Sequence, residues 1–142
     1  MKAIGKFIMY AMLANSVVHA NTLSTEEVWE KHIKAWNSRD VEQILEDYSP
    51  TSSIIVNNKI YRGAVEIGGL FEQLFSIFDQ AKEHVIDTPT ISDEVVYITW
   101  SARINTHAYP LGTDTFVIRS GKIQYQTIAT NANLLKEGAK LD

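Results

Sequence analysis

The stretch Asp114-Thr115-Phe116-Val117-Ile118-Arg119-Ser120-Gly121-Lys122-Ile123-Gln124-Tyr125-Gln126-Thr127-Ile128-Ala129 decides the fold class. Apolar and polar side chains alternate on both sides of Ser120-Gly121, the pattern of two antiparallel strands joined by a two-residue turn. A simple hairpin sets Ile118 opposite Ile123, Phe116 opposite Tyr125 and Asp114 opposite Thr127, and opposite residues share a face. One face therefore collects Asp114, Phe116, Ile118, Ile123, Tyr125, Thr127 and Ala129. If Trp100 on the preceding strand lies opposite Ile118, Ile98, Trp100, Ala102 and Ile104 join it. This is the expected inner wall. The other face carries Thr99, Ser101, Arg103, Thr115, Val117, Arg119, Gln124, Gln126 and Ile128, a mixture that suits either a solvated surface or contact with a second copy.

Working outward, period-two runs occupy about 83–91, 94–105, 113–119 and 122–131, an antiparallel meander. Helical periods come before them. Ser24-Thr25-Glu26-Glu27 is a capping box, and Val28, Trp29, His32, Ile33 and Trp36 then fall on one helix face. Asp40 caps a shorter helix with the stripe Val41, Ile44, Leu45 and Tyr48, and Ser49-Pro50 is expected to end it. Ser53 to Val56 turns through Asn57-Asn58 into Ile60-Tyr61, a short hairpin. From about Gly63 a third helix places Ile67, Leu70, Phe71, Leu74, Phe75 and Phe78 at helical spacing, with Gly68-Gly69 either packed closely on a neighbour or simply at the surface. Helices before long strands in one uninterrupted chain give a single α+β domain.

The N-terminus reads differently. Lys2 and Lys6 precede the apolar run Phe7 to Ala14, and Val18-His19-Ala20 offers small or short side chains where a signal peptidase cuts. The expected division is a signal peptide over 1–20 and the domain over 21–142, with the product exported to the periplasm or secreted. The run is too short to span a bilayer, and no later one is as long and uncharged, so no membrane span is expected. The chain has no cysteine, so it must be held by packing alone, for which 45% hydrophobic residues suffices. The formal net charge of −4 becomes −6 once Lys2 and Lys6 leave with the leader, which gives a nucleic-acid role no electrostatic support.

Ala35-Trp36-Asn37-Ser38-Arg39-Asp40, Tyr48-Ser49-Pro50, Tyr61-Arg62-Gly63 and Asp114 to Ile123 stand in an order and spacing that resemble the nuclear transport factor 2-like superfamily, also called SnoaL-like or ketosteroid-isomerase-like. The resemblance covers the whole mature chain. It implies a cone: a curved antiparallel sheet wrapped around three N-terminal helices, a short hairpin between helices two and three, a deep apolar pocket, and a homodimer formed through the sheet. Members include isomerases, cyclases, dehydratases, hydrolases and binders without activity. In the steroid isomerase branch a tyrosine of the first helix and an aspartate ending the first strand do the chemistry. Those positions fall here near His32 and near Val56 or Asn57, where no carboxylate stands.

The residues themselves offer two candidates for chemistry. Asp114, on the inner face beside Phe116, is placed to act as a base if apolar walls desolvate it, and a strand-end aspartate bonded to loop amides or Thr127 is the plainer alternative. His32, between Trp29, Ile33 and Trp36, is placed to exchange a proton or to pair inside the core. Trp36, Tyr48, Phe75, Trp100, Phe116, Tyr125 and Thr127 are the expected ligand-binding wall. His84 and His107 are candidates for the rim. The histidines show no metal-ligand spacing, and phosphate-loop, dinucleotide and nucleophile-elbow motifs are missing, so neither metal nor cofactor is expected. The expected function is an exported binder of a small apolar or partly polar molecule. The alternatives are a cofactor-free isomerase, dehydratase or cyclase that uses Asp114 and His32, and an interaction module that uses the sheet.

Overall fold

The computed structural model describes residues 22–134; the expected leader, residues 1–20, lies outside them. Helix α1 (Thr25–Ser38) starts at the capping box: the Glu27 amide donates to Ser24 Oγ at 3.2 Å and the Ser24 amide to Glu27 Oε2 at 2.7 Å. It buries Val28, Trp29, His32 and Ala35 and ends at Arg39, which takes the left-handed conformation with φ 56°. Helix α2 (Val41–Glu46) is capped by Asp40, whose Oδ1 accepts from the Gln43 amide at 3.0 Å.

Tyr48, expected on the stripe of this helix, instead opens strand β1 (Tyr48–Val56). Pro50 therefore lies inside a strand, exposed, where the pairing of β1 slips between Tyr48 and Ser53. An irregular stretch of ladder tolerates a residue without an N–H. The Ser52 hydroxyl bridges the gap, accepting from the Ser49 amide at 2.8 Å and donating to the Ile123 carbonyl at 2.6 Å.

Asn57 and Asn58, both at positive φ, turn β1 into β2 (Lys59–Arg62), and α3 (Gly63–Phe78) follows. The glycine pair of α3 divides its roles: a Cβ on Gly68 would touch Leu45 of α2 at 3.4 Å, whereas one on Gly69 would meet nothing within 4 Å. Beyond α3 lie β3 (Glu83–Ile86), β4 (Thr90–Ser92), β5 (Val95–Arg103), β6 (His107–Arg119), β7 (Lys122–Thr130) and β8 (Asn133–Leu134). The expected run at 83–91 is thus two strands, and β6 begins at His107, not near 113.

The strands form one curved sheet in the order β2-β1-β7-β6-β5-β3, with β4 also on β5 and β8 also on β6. Its edges are β2 and β3, so it is not a closed barrel. The expectation of an antiparallel sheet holds everywhere except at β1 and β7, which run parallel, and the sheet is mixed. This α+β architecture of helices against one curved sheet is the expected one.

The hairpin read first departs from its simple register. Arg119 pairs with Lys122 and Ile118 with Ile123, but Val117 then pairs with Tyr125, leaving Gln124 as an extra residue in β7. One extra residue reverses the facing of everything beyond it. Phe116 therefore lies opposite Gln126 and Asp114 opposite Ile128. Gln126 and Ile128 turn inward and are buried, while Tyr125, Thr127 and Ala129 turn outward. On β5 the expected inner residues Ile98, Trp100 and Ala102 are buried, although Trp100 pairs with Gly112 and not with Ile118.

Candidate functional site

The inner sheet face meets α1 and α3 around a cavity of about 110 Å³. Its walls come from Trp29, His32 and Trp36 of α1, Phe71 and Phe78 of α3, and Ile98, Trp100, Asp114, Phe116, Gln126 and Ile128 of the sheet. The chain has three tryptophans, and all three line this space. A wider, shallower depression of about 400 Å³ shares Trp29, Ile33, His84 and Ile86 with it, which marks a mouth between α1 and β3.

Asp114 is the one carboxylate on the cavity wall among the described residues, and it is 7% exposed. Two side-chain donors hold it: Trp100 Nε1 reaches Oδ1 at 2.8 Å and Gln126 Nε2 reaches Oδ2 at 2.8 Å. The orientation of the Gln126 amide is fixed from behind, because the Tyr48 hydroxyl donates to its Oε1. Trp100 is seated on Gly112, where any Cβ would overlap its indole. Burial raises the Asp114 carboxyl pKa to about 6, and the Trp100 and Gln126 hydrogen bonds and nearby His32 pull against that rise. Burial, reinforced by Asp114 and Asp47, pushes the Tyr48 phenol well above its ordinary value, so it remains a donor.

His32 is gripped from the opposite side. Its Nδ1 lies 3.1 Å from Asp47 Oδ2, and Asp47 Oδ1 lies 3.1 Å from Lys31 Nζ, which also pairs with Glu46 at 2.9 Å. A carboxylate at Nδ1 fixes a proton there, so in the neutral ring Nε2 carries the lone pair. No described residue bonds to Nε2. The ring stands edge-on to Phe116 at 5.4 Å and to Tyr48 at 5.8 Å. At the mouth, burial and then the charge of Arg39 lower the His84 pKa. No group of three or more histidine, aspartate or glutamate side chains gathers as a metal site among the described residues.

Comparison with known proteins places this geometry. No protein-family model matches the sequence, and no curated protein matches it. Solved structures do. An NTF2-like protein of unknown function from Cytophaga hutchinsonii is 11% identical, with 79% of this chain and 94% of that one covered at a TM-score of 0.62. A SnoaL-like protein of unknown function from Burkholderia thailandensis is 13% identical, with 75% and 94% covered at 0.61.

This chain has the nuclear transport factor 2-like fold.

The likeness is one of shape alone: a de novo designed protein with a curved β-sheet matches equally well, at 15% identity, 75% and 84% coverage and a TM-score of 0.63. Within this nuclear transport factor 2-like cone, His32, Trp36, Trp100, Asp114 and Phe116 line the cavity. Tyr48 stands behind the wall as a support for Gln126, and Phe75 backs Trp36 at 5.3 Å without reaching the cavity. Tyr125 and Thr127 do not reach it at all, because the extra residue Gln124 turns them to the outer face, where Tyr125 is 52% exposed. For the same reason Asp114 has Gln126, not Thr127, as its cross-sheet partner. His107 is not on the wall; its Nδ1 pairs with Thr106 Oγ1 at 2.8 Å. Two parts of the site were not anticipated. Gln126 was hidden by the bulge. Asp47 carried a signal, since a carboxylate at a helix C-terminus opposes the helix dipole and needs another reason to be there.

Proposed function

We propose that this domain binds a small, largely apolar molecule whose single polar group docks at Asp114. The observation that carries the reading is a carboxylate held by Trp100 and Gln126 on the wall of an otherwise mainly apolar, aromatic cavity. Export belongs to the same proposal and rests on the pattern of residues 2–20, which puts the cavity outside the compartment where nucleotide cofactors are plentiful. The test uses the tryptophans as built-in reporters. Protein purified from the exported fraction should carry an extractable small molecule, and its removal or return should change the tryptophan emission. Ile98→Phe, which fills the cavity, should abolish both effects. A preparation with nothing to extract, and an emission that no small organic compound alters, would refute the binder.

The second reading is acid–base turnover without a cofactor. It is favoured by Asp114 and His32 lining one cavity, with the carboxyl pKa at about 6 suited to taking a proton from carbon near neutrality. Asp114 would remove the proton and, as the carboxylic acid, return that same proton to the neighbouring position. Deuterium exchange into small ketones, catalysed by the parent and lost in Asp114→Asn, would support turnover. Exchange that survives the substitution would remove Asp114 from that role.

A further inference from the structure

We infer that the molecule held in the cavity is an organic cation, a small amine or quaternary ammonium whose positive centre sits between the Asp114 carboxylate and the aromatic walls. This rests on the cavity reading above and names the ligand class within it. The first ground is the balance of donors and acceptors at the inner end. Trp100 Nε1 and Gln126 Nε2 are spent on Asp114, the Tyr48 hydroxyl on Gln126, and the Thr130 hydroxyl on the Leu111 carbonyl. At Asp114 itself what remains is acceptor capacity, while Trp36 Nε1, buried on the same wall, is a donor with no hydrogen-bond partner among the described residues. A ligand group that docks on Asp114 must bring a donor or a positive charge.

The second ground is charge. The other buried carboxylate among the described residues, Asp47, has cationic or ionisable partners in Lys31 and His32. Asp114 is also buried, yet only the neutral donors Trp100 and Gln126 touch it, and no lysine or arginine lines the cavity. A buried carboxylate beside an open space, with no cationic group in contact with it, is an incomplete pair.

The third ground is the wall. Trp36, Phe78, Trp100, Tyr109 and Phe116 present rings to one small volume, and ring faces attract cations. The molecule already uses one of them this way, since the Arg39 guanidinium lies 4.9 Å from the centre of the Trp36 ring. That arginine is paired with Asp79 at 3.0 Å, so its charge is partly spent outside the site.

The groups that titrate around the carboxylate are His32 from α1, Tyr48 from β1 and His84 from β3. Acid acts in one direction: Asp114 loses its charge and His84 gains one, and both changes disfavour a cation. The experiment compares two probes of one shape, choline and its neutral carbon analogue 3,3-dimethylbutan-1-ol, by tryptophan fluorescence and calorimetry on the mature chain. Choline should bind about tenfold or more tightly than the alcohol, the scale of a desolvated cation–π contact plus a charge. Its affinity should fall as pH drops through about 6, and Asp114→Asn should narrow the gap between the probes. Should that variant fail to fold, Tyr109→Leu, which removes one ring and keeps the carboxylate, should weaken choline more than the alcohol. Equal binding of the two, or binding of the alcohol alone, overturns the cation and leaves the binder standing. Binding of neither probe, nor of small primary amines, overturns the cation as well, and the extraction and emission test then decides the binder.

Discussion

Asp114 has a folded-state pKa of about 6 against an ordinary 3.8, so between those values the folded protein keeps a proton that the unfolded chain releases. Stability contributed by this group is therefore present at acid pH and lost as pH rises through about 6. Asp114→Asn removes that dependence. Relative to the parent, the variant should gain on the order of 3 kcal/mol between pH 4 and pH 8, read from urea melts at both. His84 has the opposite slope, because its lowered pKa makes stability grow as pH rises, but it is common to both proteins and cancels in the difference. A variant that loses ground between pH 4 and 8 would contradict the burial argument. The Tyr48, Gln126 and Asp114 chain makes a second prediction. Gln126→Leu strands the Tyr48 hydroxyl and one oxygen of Asp114, at a cost of about 1–3 kcal/mol each. Adding Tyr48→Phe to Gln126→Leu should then cost little or restore stability, whereas simple addition of the two losses would show that the hydrogen-bond chain is not a unit. At this scale the sequence located Asp114 and His32, since strand alternation and helical spacing both point them inward. It could not pair them with Gln126 and Asp47, because those partners are set by tertiary contact.

Elements show where local reading stops. Capping boxes, the Asn57-Asn58 turn and the stripe of α3 were legible because each depends on residues within a few positions of one another. Strand β7 was not. Its alternation is equally regular with or without the extra residue Gln124, and the bulge that reverses its faces is decided by partners on β6 and β1. The pairing of Trp100 with Gly112 was hidden for a related reason: the strand before it turns at 104–106, so β6 starts earlier than its turn residues suggested. That pairing can be tested. Gly112→Ala puts a methyl group into the Trp100 indole, and the ring must leave its seat or the strands must part. The substitution should destabilise by about 1–3 kcal/mol and, by breaking the Trp100 to Asp114 hydrogen bond, shift the tryptophan emission and near-ultraviolet circular dichroism. Unchanged spectra and melting would mean that the indole does not rest on Gly112.

The molecule as a whole leaves one surface to account for. On the outer sheet face Tyr97, Thr115, Thr127, Ile55 and Ile60 form a row across five strands without a charged side chain, and Val95, Val117 and Tyr125 form a second row beside it. Tyr125 is 52% exposed, Ile60 42% and Tyr97 40%, so apolar surface is left open on a chain whose net charge is −4. Two acidic copies repel each other least where neither carries charge, and a patch of this kind pairs with itself about a two-fold axis. We propose that a second copy covers this face. The same bulge that removed Tyr125 from the cavity placed it here, at the centre of the band. Tyr125→Lys sets two like charges against each other at that contact and leaves the cavity wall untouched. Light scattering should give twice the chain mass for the parent and the single chain mass for the variant, with circular dichroism unchanged. A parent that stays monomeric at high concentration would refute the dimer, and a dimer that survives the lysine would place its contact on another face.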